Sequence, residues 1–131
     1  MSNVNVEVGF AGRYRLQVRG PDGEIRKDTG WFNNLILDAG LNRIGSGSAI
    51  APYCHVGAGS TAPNVTDTAL QSFIASTSTA QSRVNGFVDT PVKFGYTRTT
   101  FRFAAGVAAG NVSEVGVGWQ STTGGLFSRA L

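Results

Sequence analysis

Gly30-Trp31-Phe32-Asn33-Asn34-Leu35-Ile36-Leu37-Asp38-Ala39-Gly40-Leu41 is the stretch where the hydrophobic period of the chain changes. From Asn34 to Ile44, Leu37, Leu41 and Ile44 fall at i, i+4 and i+7, and this spacing predicts one short helix near residues 34–44. Asn33 or Asn34 is positioned to cap its start. Gly40 inside that helix costs about 1 kcal/mol relative to Ala, so docking on a sheet, not propensity, is expected to hold it.

On either side of this helix the pattern is that of strands. Upstream, Tyr14, Leu16 and Val18 alternate with Arg13, Arg15, Gln17 and Arg19, as in a half-buried antiparallel strand. Gly20-Pro21-Asp22-Gly23 reads as a turn, because proline presets one backbone angle and glycine accepts a positive one. Residues 25–32 return as a partner strand whose Arg26, Lys27 and Asp28 give it a charged face. Residues 1–9 form a strand-like arm in which Val4, Val6 and Val8 alternate with Asn3, Asn5 and Glu7. Such an arm either pairs with a neighbour or completes the chain's own sheet.

Downstream, residues 52–56 suggest a short strand and residues 57–64 a loop with Pro63 at one corner. Residues 71–85, dominated by Ser, Thr, Ala and Gln, read either as a long exposed strand pair or as a mobile loop. The longest strand signal is residues 92–103. There Val92, Phe94 and Tyr96 are even and Phe101 and Phe103 odd, so a β-bulge or a strand that changes sheets is expected between Tyr96 and Phe101. Residues 112–119 and 126–131 are further strands around a Thr123-Gly124-Gly125 turn. The expectation is a single domain over residues 1–131, mainly β: an antiparallel, jelly-roll-like β-sandwich with one short inserted α-helix.

Composition narrows the functional classes. Charged residues make up 15% of the 131 residues, against about 25% in an average soluble domain. A surface so poor in charge fits a subunit covered in an assembly, although a small soluble Thr-rich β domain would share the composition. The net charge of +3 is spread over basic residues that form no run in sequence. Arg13, Arg15 and Arg19 share one strand face, and three phosphate contacts would give a salt slope of only about −2.7. This argues against direct nucleic-acid binding. No apolar run reaches the length of a membrane span, and no basic-then-apolar start suggests a signal peptide.

No catalytic, cofactor or metal site emerges from the residues, so an enzyme is not expected. Cys54 and His55 are the lone cysteine and histidine. As strand neighbours they point to opposite faces and cannot share a proton; Cys54 is expected as a small buried residue. Gly57-Ala58-Gly59-Ser60-Thr61-Ala62-Pro63 lacks the Lys-Ser/Thr ending of a phosphate loop. Glu114, a lone acid in an apolar strand, is expected to pair with Arg102 or Arg129 across the sheet.

Two segments in order carry a family resemblance: residues 30–41, and His55-Val56-Gly57-Ala58-Gly59-Ser60-Thr61-Ala62-Pro63-Asn64-Val65-Thr66-Asp67-Thr68-Ala69-Leu70. They resemble bacteriophage virion proteins of the tail, baseplate and collar. In those proteins an aromatic residue and one or two Asn lead into a short apolar helix, and a Gly-x-Gly-x-x-x-Pro loop closes on Asp-Thr-x-Leu. Asn111-Val112-Ser113-Glu114-Val115-Gly116-Val117 and Leu126-Phe127-Ser128-Arg129-Ala130-Leu131 look like the end of the same family, so the blocks span about three quarters of the chain.

The resemblance implies a non-enzymatic structural subunit of a tailed-phage virion. It would be assembled in the bacterial host cytoplasm and would join other copies of itself, as a ring or trimer, and neighbouring virion proteins. Arg13, Arg15 and Arg19, with Val4, Val6 and Val8 of the arm, are the expected interface residues, since arginine is enriched at interfaces. The alternatives are a capsid decoration protein, or a glycan- or receptor-binding module of a tail fibre. Trp31, Trp119, Tyr53 and Tyr96 would stack on sugar in the latter; core or interface packing is the plainer role for such aromatics.

Overall fold

Strand pairing among the described residues is antiparallel throughout. The computed structural model describes residues 9–131, so Val4, Val6 and Val8 of the expected arm lie outside the described residues. In chain order the elements are β1 (Arg13–Tyr14), β2 (Gln17–Arg19), β3 (Ile25–Asp28), β4 (Phe32–Asn33), β5 (Leu35–Ile36), α1 (Asp38–Gly45), β6 (Tyr53–Gly57), β7 (Phe73–Thr77), β8 (Ala80–Val88), β9 (Phe94–Phe101), β10 (Glu114–Gly118) and β11 (Leu126–Ala130). The mainly-β class with one short helix is therefore the class the chain adopts. Its strands group as a five-stranded sheet, ordered β5-β11-β10-β6-β7, and three two-stranded ribbons, β1–β4, β2–β3 and β8–β9.

The register of the large sheet separates its two faces. Val115 pairs with Val56 and with Ala130, and Val117 with Cys54. These residues share one face, and Cys54, Val56, Val115 and Ala130 form its buried core. Tyr14 and Phe32 of the β1–β4 ribbon, with Phe101 and Phe103, cover that face. On the other face Gly116 pairs with His55 and with Arg129, and Glu114 with Gly57. Leu37, Leu70 and Leu126 make a second buried cluster.

The helix begins later than its spacing suggests. Leu35 and Ile36 are taken up by β5, which pairs with Ser128 and Arg129, so α1 starts at Asp38. Neither Asn33 nor Asn34 caps it: Leu37 holds the cap position without a side-chain bond, and the first amide, Asp38 N–H, donates to the Val65 carbonyl (2.9 Å). A tertiary contact replaces the sequence-local cap. Leu41 is 47% exposed, while Gly40 is buried. A Cβ on Gly40 would collide with the backbone carbonyl of Phe127, so glycine lets the helix seat directly on β11.

Two other expectations change, and the open reading of residues 71–85 narrows to strand. The strand over 13–19 is broken into β1 and β2, because two residues (15 and 16) face three (29, 30 and 31), an extra-residue bulge with Gly30 at φ 66°. Beyond that bulge Val18 is 55% exposed. Within residues 71–85, 73–77 form β7 on the edge of the large sheet and 80–85 belong to β8 in the long hairpin, so they are largely strand, but β7 and β8 pair with β6 and β9 and not with each other. In β9 the register runs unbroken from Phe94 to Thr100, and the irregularity lies on the opposite strand, between Ala80 and Ser82. Phe94 and Tyr96 are exposed, so the parity switch marks where β9 leaves the core.

The seating of α1 predicts an inversion of ordinary helix propensity. Gly40→Ala, which would gain about 1 kcal/mol in an exposed helix, is expected to lose about 1–3 kcal/mol here through overpacking against Phe127. Urea unfolding measures the difference, and a stabilised variant would contradict the contact.

Candidate interface

Glu114 and Arg129 lie side by side on β10 and β11 with their side chains fully buried, and Arg129 Nη2 donates to Glu114 Oε2 at 2.8 Å. The pair assigns the acid to one of its two expected partners. Arg129 also reaches Asp67 Oδ2 through Nη1 (2.8 Å) and the Thr61 carbonyl through Nη2 (2.8 Å). Glu114 accepts further bonds from the amides of Gly59 (3.0 Å), Gln71 (3.0 Å) and Ser72 (2.7 Å). Every polar end of the pair is answered, which a buried ion pair requires.

These bonds give the Gly-x-Gly-x-x-x-Pro loop its role. Gly59 N–H points at Glu114 Oε1, and a Cβ on Gly59 would sit 2.6 Å from that oxygen. Ser60 and Thr61 N–H both donate to Gln71 Oε1 at 2.8 Å, and Asn64 N–H donates to Asp67 Oδ2 at 2.9 Å. The loop is thus tied shut on two carboxylates and an arginine, and Asp67 closes it. Burial pushes the Glu114 carboxyl up, but donation from Ser72, Gln71, Arg129 and Gly59 outweighs it and holds the group below its ordinary value.

Cys54 and His55 do occupy opposite faces of β6. The thiol is buried in the core, and burial pushes it up to about 12, which leaves it inert as a nucleophile at neutral pH. His55 is fully buried, packs edge-on against Phe73 (5.3 Å) and bonds the Gln120 carbonyl through Nε2 (2.6 Å). That carbonyl fixes the proton on Nε2, and Nδ1 has no partner among the described residues. Burial lowers its proton affinity. Among the described residues no group of three or more His, Cys, Asp or Glu is arranged around a metal position, and no helix is long and apolar enough to cross a membrane.

The three arginines expected at an interface sit on the first hairpin, each engaged within it. Arg13 stacks 5.9 Å above the Trp31 ring, Arg15 forks onto Asp28 (2.9 and 2.5 Å), and Arg19 donates to the Gly23 carbonyl of the turn (3.0 Å). Donation from Arg15 and from Gly30 N–H holds Asp28 well below the usual carboxylate range. Of the aromatics considered for glycan stacking, Trp119 carries the Arg43 guanidinium at 4.9 Å on its ring, and the Tyr96 ring lies over Gly86.

A surface the sequence reading missed is the β8–β9 hairpin. Phe87 is 77% exposed, Val92 67%, Phe94 52% and Tyr96 45%, and Val84 is exposed beside them. Phe87, Phe94 and Gly95 with Lys93 line a shallow concavity near its tip, close to the cis Thr90–Pro91 bond. The alternation of β9 could signal a strand but not which of its faces meets the core; the polar facing strand, Ser82 to Asn85, was the available hint.

No protein-family model, curated protein or solved structure matches the chain.

Acid should unfold the protein in two ranges. His55 is held neutral in the fold, so stability falls as pH drops below its ordinary 6.5, where the unfolded chain takes up the proton more readily. Glu114, held below its ordinary 4.5, contributes stability that is present above that pH and lost as pH falls through its folded value. At neutral pH, Arg129→Met should cost about 3–5 kcal/mol by leaving the Glu114 charge buried without its cation. Chemical denaturation from neutral to acid pH measures both, and a pH-independent curve or a harmless Arg129→Met would contradict this geometry.

Proposed function

We propose that this chain is a non-enzymatic structural subunit of a tailed-bacteriophage virion, a component of the tail, baseplate or collar that works by self-assembly and by docking on neighbouring virion proteins. The observation that carries the reading is the amount of apolar surface left uncovered on projecting hairpins, above all Phe87, Val92, Phe94 and Tyr96. Contiguous exposed apolar surface on a small domain marks a protein contact. The resemblance of residues 30–41 and 55–70 to phage tail and collar proteins supplies the class of assembly.

The parts divide by rigidity. The loop that carries the resemblance is fastened by Glu114, Arg129 and Asp67 and offers no reacting group, which suits a scaffold. The first hairpin presents Val18 and Ile25 beside its arginines, and this is the surface on which copies meet. Ring or trimer formation then follows from one repeated contact.

Two measurements test the proposal together. Sedimentation of the purified chain at rising concentration should show a closed oligomer, and mass spectrometry of purified virions should find the chain in a fixed ratio to the other structural proteins. A chain that stays monomeric at high concentration and is absent from virions would contradict it.

A further inference from the structure

The β8–β9 hairpin is set apart by its charge as well as by its exposure. Residues 80–103 contain Arg83, Lys93, Arg98 and Arg102 but a single acid, Asp89, so they carry the whole net charge of +3; the remaining seven basic and seven acidic residues cancel. Asp89 is spent on Lys93 at the tip (3.2 Å). Arg83, Arg98 and Arg102 have no ion-pair partner among the described residues.

The register places these charges around an apolar strip. Val88 pairs with Phe94, Gly86 with Tyr96 and Val84 with Arg98, so two valines, two aromatics and Arg98 share one face. Phe87 and Arg83 lie on the other. A ribbon of two strands is marginally stable in water without a third strand or a packed face.

We propose that this hairpin is the docking element for a different protein, one that presents an apolar groove bordered by Asp and Glu carboxylates. The setting rests on the virion reading above; the partner's chemistry rests on the charge of the hairpin. A second copy does not fit. Hairpin on hairpin would bring two positive ribbons together, and the rest of the chain, with no net charge, has no acidic surplus to offer. Nucleic acid fits less well, because three free arginines give a salt slope of only about −2.7, and the exposed Val84, Val92 and Phe87 have nothing to gain from phosphate.

The test uses the full chain and a fluorescent peptide that alternates Leu with Glu, read by anisotropy beside a polyglutamate peptide and a single-stranded oligonucleotide of equal charge. The Leu-Glu peptide should bind, weakening as salt rises, and the other two should bind at least about tenfold more weakly. Phe87→Ser with Phe94→Ser should lose about tenfold or more, the scale of removing an anchoring aromatic. Arg83→Glu with Arg98→Glu should abolish binding, while Arg26→Glu with Lys27→Glu on the first hairpin should leave it unchanged. All these positions are exposed, so circular dichroism should report an unaltered fold.

Absence of binding to the Leu-Glu peptide, equal binding of the oligonucleotide, or loss of a self-associated form on mutating the hairpin would each overturn the proposal. The virion reading fails separately. A chain found in virions that ignores the acidic probe refutes this inference alone, and one that binds the probe but is missing from virions refutes only the setting.

Discussion

Arg129 has almost no contact with water, and the structure around it is arranged to make that tolerable. A guanidinium stripped of solvent needs counter-charge and an acceptor for each donor. Glu114 comes from the neighbouring strand, Asp67 from the far end of a loop, and Thr61 supplies a carbonyl. Meeting these needs brings together segments sixty or more residues apart in the chain. It also fixes which face of the sheet the loop covers and therefore where α1 sits, since the Asp38 N–H at the start of α1 donates to the Val65 carbonyl in that same loop.

The rest of the core is modest and depends on that frame. Among the described residues seven buried apolar side chains form two small clusters, one on each face of the five-stranded sheet. Tyr14 spans from the first ribbon to the last strand, its hydroxyl bonded to Ser128, and burial pushes its proton affinity up. The short β2–β3 hairpin and the long β8–β9 hairpin draw little from these clusters and run out beyond them. A firm body with exposed ribbons is the mechanical form expected of a subunit that gains its remaining contacts on assembly.

Much of this was legible in the residues, for physical reasons. Glu114 could be recognised as half of an ion pair because a charge in an apolar strand has few other stable outcomes, and Cys54 as inert because strand neighbours diverge. The turn at residues 20–23 forms as its Pro and Gly suggest. What misled were cases in which distant contacts override local signals. Asn33 and Asn34 are good capping residues, yet Ser128 and Arg129 recruit Leu35 and Ile36 into the sheet and push the helix start to Asp38. Leu41 has core spacing, yet Gly40 is what the sheet accepts. Alternation in residues 92–103 revealed a strand and concealed an exposed apolar face, since period-two patterning is blind to whether that face is covered by the chain itself. Asp67 could not be read as an ion-pair partner at all, because its pairing with Arg129 is set by the loop's closure.

The five-stranded sheet is held by contacts of its own, whereas the β8–β9 hairpin is left largely uncovered. Amide hydrogen exchange on the free chain and on the assembled particle tests this most directly. The amides of β6, β10 and β11, with Gly59, Gln71 and Ser72 bonded to Glu114, should exchange slowly in both states. Those of β8 and β9 should exchange fast in the free chain and become protected on assembly. A hairpin already protected in the free chain, or still exchanging fast in the particle, would contradict the account.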